Sequence, residues 1–233
     1  GAGVVIGDAI NECKALAEKL DSPVCNGYQH NDSFPGSHPL AVGPLGYNGS
    51  KAAMQLISKA DVVLALGTRL NPFSTLPGYG IDYWPKNANI IQVDMNPDRI
   101  GLTKKVTVGI AGDAKQVAKQ ILQKLSSNAG DIGREDRKNL IHQTKSAWLQ
   151  TLTSLDHEDD DPGTVWNKEA RERDKDRMSP RQAWRAIQAA MPEDAIISSD
   201  IGNNCAIGNA YPTFEKPRKY LAPGLFGPCG YGF

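Results

Sequence analysis

Two stretches near the carboxyl end of the chain combine glycine with polar groups that could hold an anionic ligand. The first consists of Asp200, Ile201, Gly202, Asn203 and Asn204, and it follows an apolar run that predicts a strand. Main-chain amides beside a glycine can approach a phosphate closely, asparagine side chains add neutral donors, and a helix beginning there adds the positive end of its dipole. A plain strand-to-helix turn has the same composition, so the stretch alone indicates only a candidate phosphate site.

The second stretch is glycine-rich and covers residues 224–230, after the predicted strand Lys219–Leu221. Because its glycines carry no side chains, its main chain can come close to a flat ring. A glycine-rich turn is weak evidence by itself. However, polar residues and glycine at the carboxyl ends of buried parallel strands mark the place where open α/β sheets bind ligands.

Helix and strand patterns alternate from Gly7 to about Leu125, ahead of these two stretches. The predicted elements are Asp8–Leu20, Pro23–Cys25, Ser50–Ala60, Asp61–Gly67, Asn89–Asp94, Lys105–Val108 and a helix capped by Asp113. The run Asp61–Gly67 is apolar on both faces, which is typical of a central parallel strand covered by helices. The alternation predicts an α/β domain with a doubly wound parallel sheet at 1–125, in which Gly1–Gly7 is a loop between strand and helix.

A polar segment, 126–178, separates this domain from the two stretches. It contains a predicted helix around Glu135–Leu152. The apolar face of that helix is formed by Leu140, Ile141, Trp148 and Leu149. The acidic run His157–Asp161 is expected to be a solvated loop, because exposed carboxylates without a scaffold bind divalent ions weakly. The composition of 126–178 resists burial and predicts an interdomain connector on the surface.

A second α/β domain is predicted to begin at Ser179 and to include residues 179–233. Ser179, Pro180 and Gln182 match a capping box with proline in the first helical turn. The residues that this helix is expected to bury are Ala183, Trp184, Ile187 and Met191. The next run, Ala195–Asp200, predicts a parallel strand that leads into the first of the two stretches.

The overall composition argues against several classes of protein. Lys plus Arg equals Asp plus Glu at 26 each, without a long basic stripe, so binding to nucleic acid or to an anionic membrane is not expected. The longest apolar runs have the length of a strand, far below the ~20 residues that span a bilayer, and a cytoplasmic protein is expected. The four cysteines form no Cys-x-x-Cys pair, so reduced thiols and no structural metal are expected.

One loop contains His30, Asp32 and His38, a set that could be a metal-binding or acid–base cluster. No further ligand lies at a defined spacing from them. Turn and interface contacts are therefore the favoured interpretation of these three side chains.

The order of the two stretches resembles the diphosphate-binding domain of one enzyme family. A strand, Asp-Ile-Gly-Asn-Asn, a second strand and Gly-Leu-Phe-Gly-Pro-Cys-Gly-Tyr-Gly-Phe follow one another as in thiamine diphosphate enzymes of the acetolactate synthase and pyruvate oxidase type. Residues 1–125 resemble the central domain of the same enzymes, so the resemblance covers almost the whole chain. It implies an internal fragment, with the activating glutamate in a preceding domain and the Mg²⁺ ligands in a following segment. No catalytic residue or metal ligand is then expected within the chain.

The resemblance implies a cofactor site formed by both stretches. The residues that would bind thiamine diphosphate are Ile201, Gly202, Asn203, Asn204, Phe226, Gly227, Pro228 and Cys229. The first four would line the diphosphate, and the main chain of Gly227 would bond the exocyclic amine of the aminopyrimidine ring. Cys229 would replace a bulkier apolar residue that supports the bent cofactor, so its share of that support is expected to be smaller. Because each cofactor of this family lies between two subunits, a homo-oligomer, either a dimer or a tetramer, is expected.

Four long stretches narrow the resemblance within the family. They are residues 27–40, 43–51, 71–80 and 155–163. They resemble an acyl-transferring branch, which implies conversion of sulfoacetaldehyde and phosphate to acetyl phosphate and sulfite in taurine or sulfonate degradation. The 233-residue fragment alone is expected to be inactive. Two alternatives remain open: an acetolactate synthase or 2-oxoacid decarboxylase of the same superfamily, and a non-catalytic Rossmann-like nucleotide-binding domain.

Enzymes of this type can bind flavin or ADP where the strands of the central domain end. The corresponding positions here are Gly67–Arg69 and Val93–Pro97. The phosphate-binding fingerprint Gly-x-Gly-x-x-Gly does not follow a first strand. A vestigial or structural role is therefore favoured over nucleotide binding at these two positions.

Overall fold

Parallel strands alternate with helices along the chain, and a computed structural model describes them over residues 1–154, 177–223 and 227–232. The helices are α1 (Ala2–Ile6), α2 (Ile10–Leu20), α3 (Lys51–Ile57), α4 (Ala114–Lys124), α5 (Arg134–Ser154), α6 (Pro180–Ala190) and α7 (Asn203–Ala210). The strands are β1 (Val24–Asn26), β2 (Ala41–Pro44), β3 (Val62–Leu66), β4 (Asn89–Asp94), β5 (Val108–Ala111), β6 (Ile197–Ser198) and β7 (Tyr220–Leu221). Short 3₁₀ turns cover Asn31–Ser33, Pro72–Ser74 and Pro97–Arg99.

The strands pair in parallel. In one sheet the order is β3, β4, β5, with Val62 opposite Asn89 and Ile91 opposite Val108. β1 pairs with β2, and β6 pairs with β7. Parallel neighbours cannot be joined by a tight hairpin and need a crossover, which is why helices separate them in sequence. The α/β class with parallel sheets, predicted from the alternation, is confirmed.

β3 lies at the edge of its sheet. Among the described residues it pairs with β4 alone, and Val62 is 49% exposed. The predicted central position of Asp61–Gly67 is therefore wrong, and the central strand is β4, whose bounds match the prediction. An apolar run indicates that helices cover both faces of a strand. It does not indicate how many strands pair with that strand.

β5 begins three residues later than the sequence predicts. The prediction was Lys105–Val108, but pairing with β4 places Val108 opposite Ile91 and Ala111 opposite Asp94. Gly109 suits this position, because a Cβ there would lie 2.6 Å from Cγ2 of Ile100. The register with β4 therefore decides the bounds of β5, although the alternation at 105–108 looks more typical of a strand.

The first residues of the chain form helix α1, so the prediction of a loop over Gly1–Gly7 is wrong. The helix is held at the end of β3, where the Gly3 N–H donates to the Gly67 carbonyl at 2.8 Å. The two glycines approach so closely that a Cβ on Gly3 would lie 2.6 Å from the Gly67 Cα. A short apolar sequence flanked by glycines is thus helical because of a tertiary contact.

The main core lies among β2, α3 and α5. Ile141 of α5 is 3% exposed and packs with buried residues of α3 such as Met54. Trp148 packs edge-on against Tyr79 with ring centroids 5.5 Å apart. Leu149, which was predicted on the apolar face of this helix, is 61% exposed, so that part of the prediction is wrong. The described part of the predicted connector thus adds one helix to the core, and the acidic run at 157–161 lies outside the described residues.

Helix α6 begins with the predicted capping box. The Ser179 hydroxyl accepts from the Gln182 N–H at 3.1 Å, and the Gln182 side chain accepts from the Ser179 N–H at 2.8 Å. The expected burial is wrong, since none of Ala183, Trp184, Ile187 and Met191 is buried. Gln188 of this helix makes polar contacts with Thr213: its side chain donates to the Thr213 carbonyl at 2.6 Å and accepts from the Thr213 N–H at 3.1 Å. An amphipathic pattern predicts which face is apolar but not what covers it.

Candidate functional site

The first candidate stretch follows the short strand β6, which covers two residues of the predicted run and pairs with β7 as expected. Gly202 has φ 88° and ψ −147°, a conformation that is almost restricted to glycine, and it is the N-cap of α7. A Cβ at Gly202 would meet nothing within 4 Å, so backbone conformation, and not crowding, requires the glycine. No side chain caps this helix end, and Asn203 and Asn204 are exposed. The first amides of α7 are therefore available to a ligand. We refer to residues 200–204 as the Gly202 turn.

The second candidate stretch folds back onto the Gly202 turn. The Gly230 N–H donates to Asp200 Oδ2 at 2.9 Å, and the same carboxylate accepts from the Ile201 N–H at 2.8 Å. Gly227 has φ 54°, and a Cβ on it would lie 3.6 Å from Ile201 Cγ1. These contacts place residues 227–230, which we refer to as the Gly227 turn, directly beside the Gly202 turn.

Asp200 joins the two turns through these hydrogen bonds, although it was not among the predicted cofactor-binding residues. Hydrogen bonds from the Gly230 and Ile201 amides lower the pKa of its carboxyl group below the usual range. A carboxylate at the end of a predicted strand, two residues before a glycine, was the available signal. Its partner 30 residues later could not be read from that signal.

The predicted site residues fall into two groups in the structure. Ile201, Gly202, Asn203 and Asn204 form the start of α7, and Gly227, Pro228 and Cys229 form the neighbouring turn. Phe226 lies outside the described residues. Ile201 is half-buried between the turns, whereas the other described members are exposed. The two predicted stretches are thus brought together, as the expected cofactor site requires, and the binding role of each residue stays a prediction.

The buried face of α7 rests on a loop of the central domain, residues 27–37, which we call the platform loop. Asn209 is fully buried, and its Oδ1 accepts from the Gln29 N–H at 2.8 Å while its Nδ2 donates to the Tyr47 carbonyl at 3.1 Å. Asn31 donates from its side chain to the Asn209 carbonyl at 2.7 Å. Asparagine at this position therefore joins the helix to two segments of the central domain.

The platform loop also holds the segment that leads to β7. Asp32 is 3% exposed, and its Oδ2 accepts from the Lys219 N–H at 3.1 Å. Burial raises the pKa of Asp32, and hydrogen bonds from the Lys219 amide and its neighbours oppose the shift. Further along the loop, the Gly36 N–H donates to the Phe214 carbonyl at 2.9 Å. The platform loop therefore contacts the segment between the two turns at several positions, among them Asn209, Phe214 and Lys219.

The cluster of His30, Asp32 and His38 has divergent partners. His38 Nε2 lies 3.1 Å from Glu18 Oε1, whereas Asp32 faces Lys219. Burial lowers the pKa of His30 to about 4, with a smaller contribution from Arg69, so this ring is neutral near pH 7. These contacts support the interpretation as turn and interface residues.

Local hydrogen bonds occupy the strand ends that were considered for flavin or ADP. Asp94 Oδ1 accepts from the Asn96 N–H at 2.9 Å, and the Thr68 carbonyl accepts from Gln92 Nε2 at 3.0 Å. Gly67 is in close contact with Gly3, since a Cβ on Gly67 would lie 2.7 Å from the Gly3 Cα. These contacts support a structural role for both strand ends.

A cavity of about 380 Å³ lies elsewhere, between the edges of β1 and β3, and apolar side chains form most of its wall. Within the described ranges, no residue of the two turns lines it, so an anionic ligand is better served by the turns. Three or more His, Cys, Asp or Glu side chains placed to hold a metal do not occur together in the described part of the chain. The four cysteines are free. In the ranges that the structure describes, no helix has the length and apolarity needed to cross a membrane.

Residues 1–121 match the family model described as "Thiamine pyrophosphate enzyme, central domain". The parallel α/β architecture agrees with this match, and the chain belongs to that family. Within the family, the chain is similar over its whole length to proteins named sulfoacetaldehyde acetyltransferase. It is 81% identical over 233 residues to the probable sulfoacetaldehyde acetyltransferase of Rhizobium meliloti (strain 1021) and 75% identical over 232 residues to the sulfoacetaldehyde acetyltransferase of Roseovarius nubinhibens.

These two matches cover 100% of this chain and 39% and 38% of the relatives. A more distant match, 29% identical over 238 residues, is the probable acetolactate synthase large subunit of Methanococcus aeolicus, with 100% of this chain and 37% of that protein covered. The chain therefore spans well under half the length of the curated relatives it matches.

Proposed function

We propose that the full-length protein containing this chain is a sulfoacetaldehyde acetyltransferase that converts sulfoacetaldehyde and phosphate to acetyl phosphate and sulfite, in taurine or sulfonate degradation. Identities of 81%, 75% and 71% to relatives of that name support the choice of substrate over that of acetolactate synthase, whose relatives are 29–31% identical. The single structural observation that supports a cofactor site is the contact between the Gly202 turn and the Gly227 turn.

The Gly202 turn fits the diphosphate of thiamine diphosphate. Its uncapped helix amides are exposed, Gly202 leaves open space where a side chain would stand, and the two asparagines add neutral donors. When bound, thiamine diphosphate supplies a nucleophilic carbon for attack on the aldehyde, which is chemistry that protein side chains lack. In this proposal Ile201, Gly202, Asn203 and Asn204 bind the diphosphate and orient the cofactor.

The Gly227 turn is proposed to hold the ring end of the same cofactor. The main chain of Gly227 can approach a flat ring closely because the residue has no side chain. Cys229 is exposed and small, so it gives a bound ring less support than a larger apolar side chain would. Phe226 and Pro228 flank this contact in sequence. The donors of both turns are fixed before a ligand binds, which lowers the cost of reorganisation during the reaction.

Three further features belong to the proposal for the full-length protein. Mg²⁺ would accompany the diphosphate. The described residues contain no group of three or more His, Cys, Asp or Glu side chains that could hold it, so its ligands are assigned elsewhere in the full-length protein. A dimer or tetramer would complete each cofactor site, because the chain carries only the two turns and no residue assigned to catalysis. The proposed location is the cytoplasm.

The test is to express the full-length protein and to measure sulfite release from sulfoacetaldehyde in the presence of phosphate. We expect sulfite and acetyl phosphate in equal amounts, and loss of activity when thiamine diphosphate or Mg²⁺ is withheld. The Asn204→Ala variant is expected to need more thiamine diphosphate for half-maximal activity, and Asn87→Ala, an exposed asparagine far away in sequence, serves as its control.

Pyruvate is the discriminating second substrate. Consumption of pyruvate with formation of acetolactate, without sulfite release from sulfoacetaldehyde, would replace the proposal with the acetolactate synthase alternative. Titration with ADP and FAD completes the comparison, because binding of these nucleotides without binding of thiamine diphosphate would favour the non-catalytic alternative.

A further inference from the structure

Gln29 is a residue of the platform loop that contacts the supports of both turns with one side chain. Its Nε2 donates to Cys205 Sγ at 3.0 Å and to the Pro223 carbonyl at 3.1 Å. Its main-chain N–H donates to Asn209 Oδ1 at 2.8 Å. Three hydrogen bonds from one residue therefore reach a segment that begins 176 positions later in the chain.

The two partners of the Gln29 side chain, Cys205 and Pro223, each lie close in sequence to one of the two turns. Cys205 is in the first turn of α7, three residues after Gly202, and it is 1% exposed. Pro223 is buried and directly precedes the glycine-rich stretch that contains Gly227. The side-chain amide of Gln29 thus spans the gap between the helix that carries one turn and the strand end that carries the other.

The backbone of Gln29 shows that this position is held against a conformational cost. Its φ is 65°, in the left-handed region that residues other than glycine enter rarely. Such a conformation persists where the surrounding contacts determine it. Here the N–H bond to Asn209 and the two side-chain bonds supply that determination.

We infer that Gln29 is a positioning residue, which sets the spacing between the Gly202 turn and the Gly227 turn and thereby the affinity for thiamine diphosphate, without touching the cofactor. The inference rests on the proposed function for the identity of the ligand. Its geometric part, the coupling of the two turns through one amide, depends only on the contacts above.

Two substitutions separate the side chain from the backbone. Gln29→Gly keeps the N–H that bonds Asn209 and relieves the left-handed conformation, so it removes the side-chain bridge alone. Gln29→Glu has nearly the same shape but cannot donate to the Pro223 carbonyl or to the sulfur. The matched control is Ser37→Ala, which removes the bond that the Ser37 hydroxyl donates to Glu215 Oε2 at 2.8 Å. The main-chain bond from Ser37 to Oε1 of the same carboxylate is kept, and neither contact reaches a turn.

The experiment uses the full-length protein and two readouts that do not depend on turnover. In calorimetric titration with thiamine diphosphate and Mg²⁺, Gln29→Gly and Gln29→Glu should weaken binding about tenfold, the effect of losing two neutral hydrogen bonds, while Ser37→Ala stays within about twofold. In hydrogen–deuterium exchange without cofactor, faster exchange should be confined to peptides covering 200–204 and 227–232.

The outcomes separate the two proposals. If the wild-type protein binds thiamine diphosphate and both Gln29 variants bind it within twofold, the positioning role is wrong and the proposed function stands. If the wild-type protein does not bind thiamine diphosphate, the proposed function and the cofactor part of this inference both fall, and the exchange data alone decide the coupling. Faster exchange spread over the whole platform loop and α7 in the Gln29 variants would show general destabilisation and would also overturn the positioning role.

Discussion

The platform loop and the two turns are both irregular segments, but their polar groups are satisfied in opposite ways. Asn31, Asp32 and Ser33 of the platform loop are 6%, 3% and 5% exposed, and their side chains bond to other parts of the chain or lie against it. Gly202, Asn203 and Asn204 of the Gly202 turn are exposed, and no side chain caps the helix that begins there. The platform loop therefore contributes buried hydrogen bonds that fix the chain, whereas the turns contribute exposed main-chain amides that a ligand could bind.

This difference indicates how one chain combines rigidity with binding. A turn with unsatisfied amides gains little order from its own hydrogen bonds, so its position must be determined by what it rests on. The buried polar contacts of the platform loop provide that support, through the bonds from Asn31 to the Asn209 carbonyl and from the Lys219 N–H to Asp32. The predictions below change residues of the platform loop or its partners, residues of a turn, or a helix cap, and they compare the cost in stability with the cost in ligand affinity.

The largest effect is expected for Asn209 of α7, and Asn203 of the same helix serves as its comparison. Asn209→Ala leaves the Gln29 N–H and the Tyr47 carbonyl without their partner in a buried place, so it should lower the free energy of unfolding by about 3–4 kcal/mol. Asn203→Ala, on the exposed first turn of the same helix, should cost less than about 0.5 kcal/mol. Urea denaturation of the full-length protein measures both, and similar losses for the two variants would contradict the distinction between loop and turn.

The next effect is a pH dependence that originates in the platform loop. Burial lowers the pKa of His30 to about 4 in the folded protein, against about 6.5 in the unfolded chain. Between these two values the unfolded state binds a proton that the folded state does not, so stability should fall by about 2–3 kcal/mol as the pH drops from 6.5 to 4. Thermal unfolding across this range should show the slope, and His30→Gln should remove that part of it.

Asp32 contributes with the opposite sign. Burial raises the pKa of its carboxyl group, so the folded state keeps a proton that the unfolded chain has lost, and stability falls as the pH rises through that window above 3.8. Asp32→Asn removes this opposing contribution, so stability should rise more steeply with pH in that variant than in the wild type. Equal slopes for the wild type and His30→Gln between pH 4 and 6.5 would rule out the lowered pKa of His30.

Local signals in the sequence predicted the elements well. The caps Asp113 and Ser179 were identified by residue type and spacing, because a cap involves amides only a few residues away. The bounds of β4 followed from its apolar residues Ile90, Ile91 and Val93, which lie between the polar ends Asn89 and Asp94. The Gly202 turn was located for the same reason, since glycine at the end of a predicted strand is a local feature.

Features determined by distant partners were missed. The bounds of β5 depend on its register with β4, and the exposure of Ile187 depends on what covers α6. The contacts of Gln29 with Cys205 and Pro223 span 176 and 194 residues, and no pattern near position 29 announces them. The two turns of the candidate site were predictable from the sequence, whereas their contacts with the platform loop required the structure.

A smaller effect separates two glycines, one from each region. Gly202→Ala forces a side chain into a conformation reserved for glycine and should cost about 1–2 kcal/mol, together with a marked loss of affinity for thiamine diphosphate. Gly27→Ala is the control in the platform loop, because its new Cβ would lie at an ordinary 3.7 Å from Ser74 Oγ. Thermal unfolding and calorimetric titration measure the two effects. A normal affinity in Gly202→Ala would remove this turn from the cofactor site.

The smallest effect tests whether stability and affinity can be separated. Ser179→Ala removes one half of the capping box of α6 and should lower stability by about 1 kcal/mol, while Ser179→Thr should retain most of it. Because the hydrogen bonds given for Ser179 within the described ranges reach neither turn nor the platform loop, the affinity for thiamine diphosphate should stay within about twofold of the wild type. Should Ser179→Ala weaken binding as much as Gln29→Gly does, affinity would follow general stability, and the platform loop would lose its special role in orienting the turns.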